Sequence, residues 1–132
     1  KIHIGEGKDI DLEIPVGALG TGGSVDAGAD KDTIKMAAAD ATTINGLTDN
    51  KFNTTFSNFE VLEIDTAVAA IATIDTRKIN NVSQVTVGVN LAAVSTINNL
   101  VDGGTVKLTA TQTANNLNIS RQTINSYYKI SS

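Results

Sequence analysis

The 132 residues are 41% hydrophobic and 18% charged, with a formal net charge of −4. That balance suits one domain with its own core and excludes a disordered tail. There is no cysteine, no basic stripe and no apolar run of bilayer length, which excludes disulfides, thiolate chemistry, a nucleic-acid footprint and a transmembrane segment.

Aromatic residues make up 4% of the chain, so the core must be aliphatic. The chain starts Lys1-Ile2-His3 with neither an initiator Met nor a signal-peptide pattern, and so reads as a piece of a longer protein.

Residues 1–14 alternate apolar and polar through Ile2, Ile4, Ile10, Leu12 and Ile14, and predict two short strands about a Gly5-Glu6-Gly7 turn. Pro15 closes the second strand. The small, glycine-rich stretch 17–31 reads as loop. From Thr33, Ile34 and Met36 alternate again and Ala37 to Ile44 follow. The β-branched Thr42-Thr43-Ile44 favours a strand there, whereas the alanines of 35–41 favour a helix. Asn45-Gly46 makes a turn. Residues 48–59 hold Phe52, Phe56 and Phe59 and read as an insertion folded over the side of the domain as a lid.

The most informative stretch is 61–100, which carries one phrase twice. A shift of about 23 places Leu62 on Val85, Ile64 on Val87, Thr73 on Thr96 and Ile74 on Ile97, with Ala69-Ala70 on Ala92-Ala93 at a corner. A weaker earlier copy, shifted by about 30, places Ile34 on Ile64, Thr43 on Thr73 and Ile44 on Ile74. After the Val101-Asp102-Gly103-Gly104 turn, Val106 to Ala110 and 115–119 continue the pattern.

A period in the twenties built from strand-like pieces predicts an all-β fold, a parallel β-solenoid (β-helix or β-roll) with rungs of about 21–30 residues. The alternative is a β-sandwich with an accidental internal similarity. Ile64, Val87 and Leu108 would form one inward column, and Ile44, Ile74 and Ile97 another. Asn45, Asp75 and Asn98 would form a polar turn column, either a hydrogen-bonded ladder or a ligand groove. The organisation is one β-repeat domain over 1–132. Residues 1–32 supply strands and an acidic loop, 33–119 the rungs, and 120–132 a cap or a lead into the next coil.

For chemistry, Asp26, Asp30 and Asp32 stand out. Three carboxylates within seven residues, with Gly28 among them, offer hard oxygen ligands for calcium. The stretch keeps part of the calcium-binding nonapeptide pattern but loses two of its glycines. The other reading is a solvated acidic loop. His3 lacks a Ser or acid partner at motif spacing, and no phosphate loop, nucleophile elbow or zincin motif occurs. The chain therefore reads as a non-enzyme.

Several phrases resemble the repetitive β-rich regions of bacterial surface-layer proteins and related secreted proteins with calcium-binding repeats. They are Asp32-Thr33-Ile34, Ser57 to Ile64, Ala72 to Asp75, Thr96 to Leu100 and Gly103 to Thr109. The resemblance implies an extracellular protein on the bacterial cell surface that self-assembles into a lattice, often with calcium bridging subunits. The alternative is an adhesin or glycan-binding module of a secreted repeat protein.

Overall fold

The computed structural model describes residues 2–3, 9–14, 23–48, 50–66, 72–91, 93–114 and 117–122. Strands dominate, and every strand pair among the described residues is parallel. The longest sheet joins β2 (Asp11–Glu13), β4 (Thr33–Ala37), β6 (Val61–Thr66), β8 (Gln84–Val87) and β10 (Thr105–Leu108), side by side in that order. A second joins β7 (Ala72–Asp75), β9 (Ser95–Leu100) and β11 (Leu117–Arg121). A third, of two-residue strands, joins β1 (Ile2–His3), β3 (Val25–Asp26) and β5 (Phe56–Ser57). The fold is therefore β-rich and built of parallel sheets, unlike the antiparallel sheets of a sandwich.

The register reproduces the doubled phrase. Leu62 pairs with Val85 and Ile64 with Val87, while Thr73 pairs with Thr96, Ile74 with Ile97 and Asp75 with Asn98. Alternation sends Ile34, Leu62 and Val85 inward in one column and Met36, Ile64 and Val87 in the next, all buried. Each such side chain contributes about 1.5–3 kcal/mol by leaving water. Ile74 and Ile97 fill the same core from the second sheet. The Ala69 over Ala92 corner lies outside the described residues.

Several expectations need correction. The earlier copy places Ile34 opposite Leu62 and Met36 opposite Ile64, two positions off the expected alignment. An error of two keeps every side chain on its own face, so the apolar pattern cannot expose it. Residues 38–44 are not a strand. They form helix α1 (Ala38–Ile44), which packs on β7. Its threonines are accommodated because the hydroxyls of Thr42 and Thr43 donate to the carbonyls of Ala38 and Ala39 at 2.9 and 3.0 Å. Ile44 is buried in the core, but from the helix, and Thr43 is exposed rather than part of a threonine column.

Leu108 sits in register over Val87 yet is 50% exposed, because β10 ends its sheet. Ile119, over Ile97 at the end of the second sheet, is 49% exposed. Within the glycine-rich stretch, Val25–Asp26 is a strand. The phenylalanines are not a separate lid. Phe52 and Phe59 are buried in the main core, and Phe56 stacks on Phe52 with ring centroids 4.9 Å apart. Helix α2 (Lys51–Thr55) carries Phe52.

Asparagine has two backbone-level uses here. The described non-glycine residues with positive φ are Asp30 and five asparagines: Asn50, Asn58, Asn80, Asn81 and Asn99. Asparagine tolerates the left-handed region that tight corners need. Amide side chains also stand in for strand peptides. Asn45 donates from Nδ2 to the carbonyl of Thr73 and accepts at Oδ1 from the amide of Asp75 at 3.1 Å. These are the two bonds that a neighbouring parallel strand would make around Ile74. Gln112 does the same around Asn90, donating to the Val89 carbonyl at 2.7 Å and accepting from the Leu91 amide at 2.9 Å.

Candidate functional site

The acidic stretch leads into the corner before the five-stranded sheet. Ile10, Asp32, Glu60, Ser83 and Gly104 are the residues immediately preceding β2, β4, β6, β8 and β10. A column of backbone bonds runs between them. Glu60 and Val61 amides donate to the Asp32 carbonyl at 3.0 Å each, and the Ser83 amide to the Glu60 carbonyl at 3.0 Å.

Two carboxylates reinforce that column in the opposite sense. Asp32 Oδ1 accepts from the Ile10 amide at 2.7 Å, and Glu60 Oε2 accepts from the Asp32 amide at 2.9 Å. Both amides lie one residue before their strands begin, and a buried amide without an acceptor costs about 1–3 kcal/mol.

The three candidate aspartates separate in role. Asp26 lies in β3, where Oδ1 accepts from Asn58 Nδ2 at 2.6 Å and from the Gly28 amide at 3.1 Å. Asp30 is exposed on a bend with φ +82°. Asp32 is fully buried, and its Oδ2 has no hydrogen-bond partner among the described residues. No three acidic or histidine side chains among the described residues gather around one point. Asp26 and Asp32 thus serve the local backbone, and Asp32 Oδ2 is a buried oxygen left unused. His3 lies opposite Asp26 in the strand register.

The outward face of the five-stranded sheet carries a second constellation. Glu13, Lys35, Glu63, Thr86 and Lys107 form one cross-strand column. Lys35 Nζ lies 3.3 Å from Glu63 Oε2 and 3.5 Å from Asp11 Oδ2. Glu63 first, by hydrogen bond and charge, and then Asp11 hold the Lys35 ammonium above its ordinary range. A shallow groove of about 440 Å³ runs along this face between Asp9, Lys31, Lys35, Glu63 and Gln84.

The polar turn column at the second sheet is not a ladder of its own members: Asn45 bonds the Thr73 and Asp75 backbone, and Asp75 and Asn98 each take a partner outside the column. Asn99 Nδ2 donates to Asp75 Oδ1 at 3.0 Å, and Ser120 Oγ donates to Asn98 Oδ1 at 3.0 Å. Burial pushes the Asp75 carboxyl up, but hydrogen bonds from Asn99 and Arg77 outweigh it and leave the group below its ordinary range. A further cleft of about 410 Å³ beside Asn53, Asn58, Asn80 and Asn81 offers few unused groups. Asn53 Oδ1 accepts from Asn80, Asn80 Nδ2 also donates to the Phe56 carbonyl, and Asn80 Oδ1 accepts from the Phe59 amide.

The sequence reading missed Glu60 and the charge column. Glu60 stands one full rung after Asp32, so only the true register aligns them. The column was legible as Glu13, Lys35 and Glu63 once alternation was fixed. Comparison with protein-family models, curated proteins and solved structures finds no match. No helix among the described residues is long and apolar enough to cross a membrane.

Proposed function

We propose that the chain is a structural, non-catalytic module of an extracellular bacterial surface layer. Its three parallel sheets are the faces of a β-solenoid with one rung per sequence repeat, and it acts by self-assembly. The observation that carries this reading is the five-stranded parallel sheet. Its strands pair at the spacing of the repeat, with Leu12 facing Ile34, Ile34 facing Leu62, Leu62 facing Val85 and Val85 facing Val106. Its outer strands β2 and β10 each keep one edge unpaired among the described residues. A rung buries little alone and gains its core from the rungs beside it. An open edge is a template for another strand. Calcium, expected at Asp26, Asp30 and Asp32, is proposed through Asp32, whose buried Oδ2 is unused; Asp26 and Asp30 do not gather with it around one point.

Electron microscopy of the purified chain, with and without calcium, tests the reading. Ordered linear or sheet-like assemblies are expected. Saturable glycan binding by a chain that never assembles would favour the adhesin alternative, with the polar groove along the five-stranded sheet as its site. Turnover of a polysaccharide would overturn both.

A further inference from the structure

Resting on the self-assembly reading, we propose the surface through which it occurs. A second copy of this chain docks head to tail, its β2 edge pairing in parallel with the β10 edge of the first and Lys107 meeting the incoming Glu13.

The charge column motivates this. Reading across the sheet, it runs acid, base, acid, neutral, base: Glu13, Lys35, Glu63, Thr86, Lys107. The inner base is matched, with Lys35 directly opposite Glu63 at 3.3 Å. The two end members are exposed and take part in no ion pair among the described residues. The column thus lacks an acid beyond Lys107 and a base beyond Glu13. A copy displaced along the sheet supplies both with one contact, and Lys107 against Glu13 repeats the Lys35–Glu63 arrangement.

The neighbouring columns agree. Val106 and Leu12 are the half-buried ends of the Leu12, Ile34, Leu62, Val85, Val106 column. Docking places Val106 on Leu12 and covers the exposed Leu108. All strands of this sheet run one way, so the new pair is parallel like the rest. The second sheet does not continue, because α1 covers the outer side of β7. Ile119 therefore meets a helix of the next copy, and the strand pairing of the join is made by one sheet. Such a contact joins two different surfaces, so it builds an open chain of copies and not a closed dimer.

Sedimentation velocity over a concentration series tests the interface, using the whole chain, K107E, E13K and the double variant. Both sites are exposed, and far-UV circular dichroism checks that each variant folds. The mean mass of the unaltered chain is expected to climb without a plateau at dimer. Each single charge reversal sets like charges face to face and weakens association about tenfold. The double variant, and an equimolar mixture of the two single variants, restore it. Assembly that is equally strong in all variants overturns this interface and leaves self-assembly standing. A chain that stays monomeric at every concentration, its edge covered by its own residues or by water, overturns both.

Discussion

Asn45→Ala removes a side chain that acts as the missing neighbour of a strand. The amide sits just after α1 and supplies β7 with both bonds of a parallel bridge, to the Thr73 carbonyl and from the Asp75 amide. Truncation leaves one acceptor and one donor at the covered edge of the second sheet without protein partners. At about 1–2 kcal/mol for each group left unsatisfied, the loss is about 2–4 kcal/mol. Asn45→Asp keeps an acceptor for Asp75 but turns a carboxylate oxygen toward the Thr73 carbonyl, and should lose at least as much. Thr43→Ala is the control. It is exposed on the same helix, its hydroxyl bonds only the Ala39 carbonyl, and alanine is the better helix former. Its stability should stay within about 0.5 kcal/mol of the unaltered chain. Urea unfolding measures all three. With a slope of about 2 kcal/mol/M, Asn45→Ala should lower the midpoint by about 1–2 M at unchanged slope. Hydrogen exchange at the Asp75 amide should accelerate with it. An Asn45→Ala midpoint matching that of Thr43→Ala would refute the strand-substitute role.

At the acidic corner, Asp32→Ala should cost about 1–3 kcal/mol in urea unfolding, because the Ile10 amide loses its acceptor. Asp32→Asn keeps that acceptor and should cost less. Calcium should raise the melting temperature of the unaltered chain and leave Asp32→Asn unmoved. Gly104→Ala should destabilise by about 1–3 kcal/mol, since an added Cβ would lie 2.8 Å from the Val101 carbonyl oxygen and 2.9 Å from Leu100. Gly103→Ala meets open space and bears only the strain of its φ of +76°, about 1 kcal/mol. Acid should weaken the second sheet through Asp75. Its folded pKa lies below the ordinary 3.8, so its contribution is complete above that value and lost as pH falls through the folded pKa. Urea midpoints measured downward from pH 6 should fall more steeply for the unaltered chain than for Asp75→Asn.

Register was legible where apolar residues repeat at matching spacing, as in Leu62 over Val85 and Ile74 over Ile97. It was blurred at Ile34, because a shift of two leaves the inward face unchanged. Residues 38–44 show the limit of propensity. Thr42 and Thr43 pull toward strand as single residues, yet in place they bond back to the helix and leave Asn45 to finish the sheet. Periodicity also cannot tell the end of a stack from its middle, so Leu108 reads as core although nothing described covers it. The acidic corner was half visible. Asp32 stands out in the sequence as an oxygen donor, but its bond to the Ile10 amide depends on a partner one rung back in the chain. The unpaired ends of the charge column become visible only once strand order is known.

The most direct test of head-to-tail stacking is a chain carrying both Glu13→Cys and Lys107→Cys, oxidised and run on a non-reducing gel. The chain has no other cysteine. Within one copy the two positions are four strand spacings apart, about 19 Å, beyond the reach of a disulfide. Stacking in the proposed register gives a reducible ladder of dimers, trimers and longer chains. A single monomer band under oxidising conditions would contradict it.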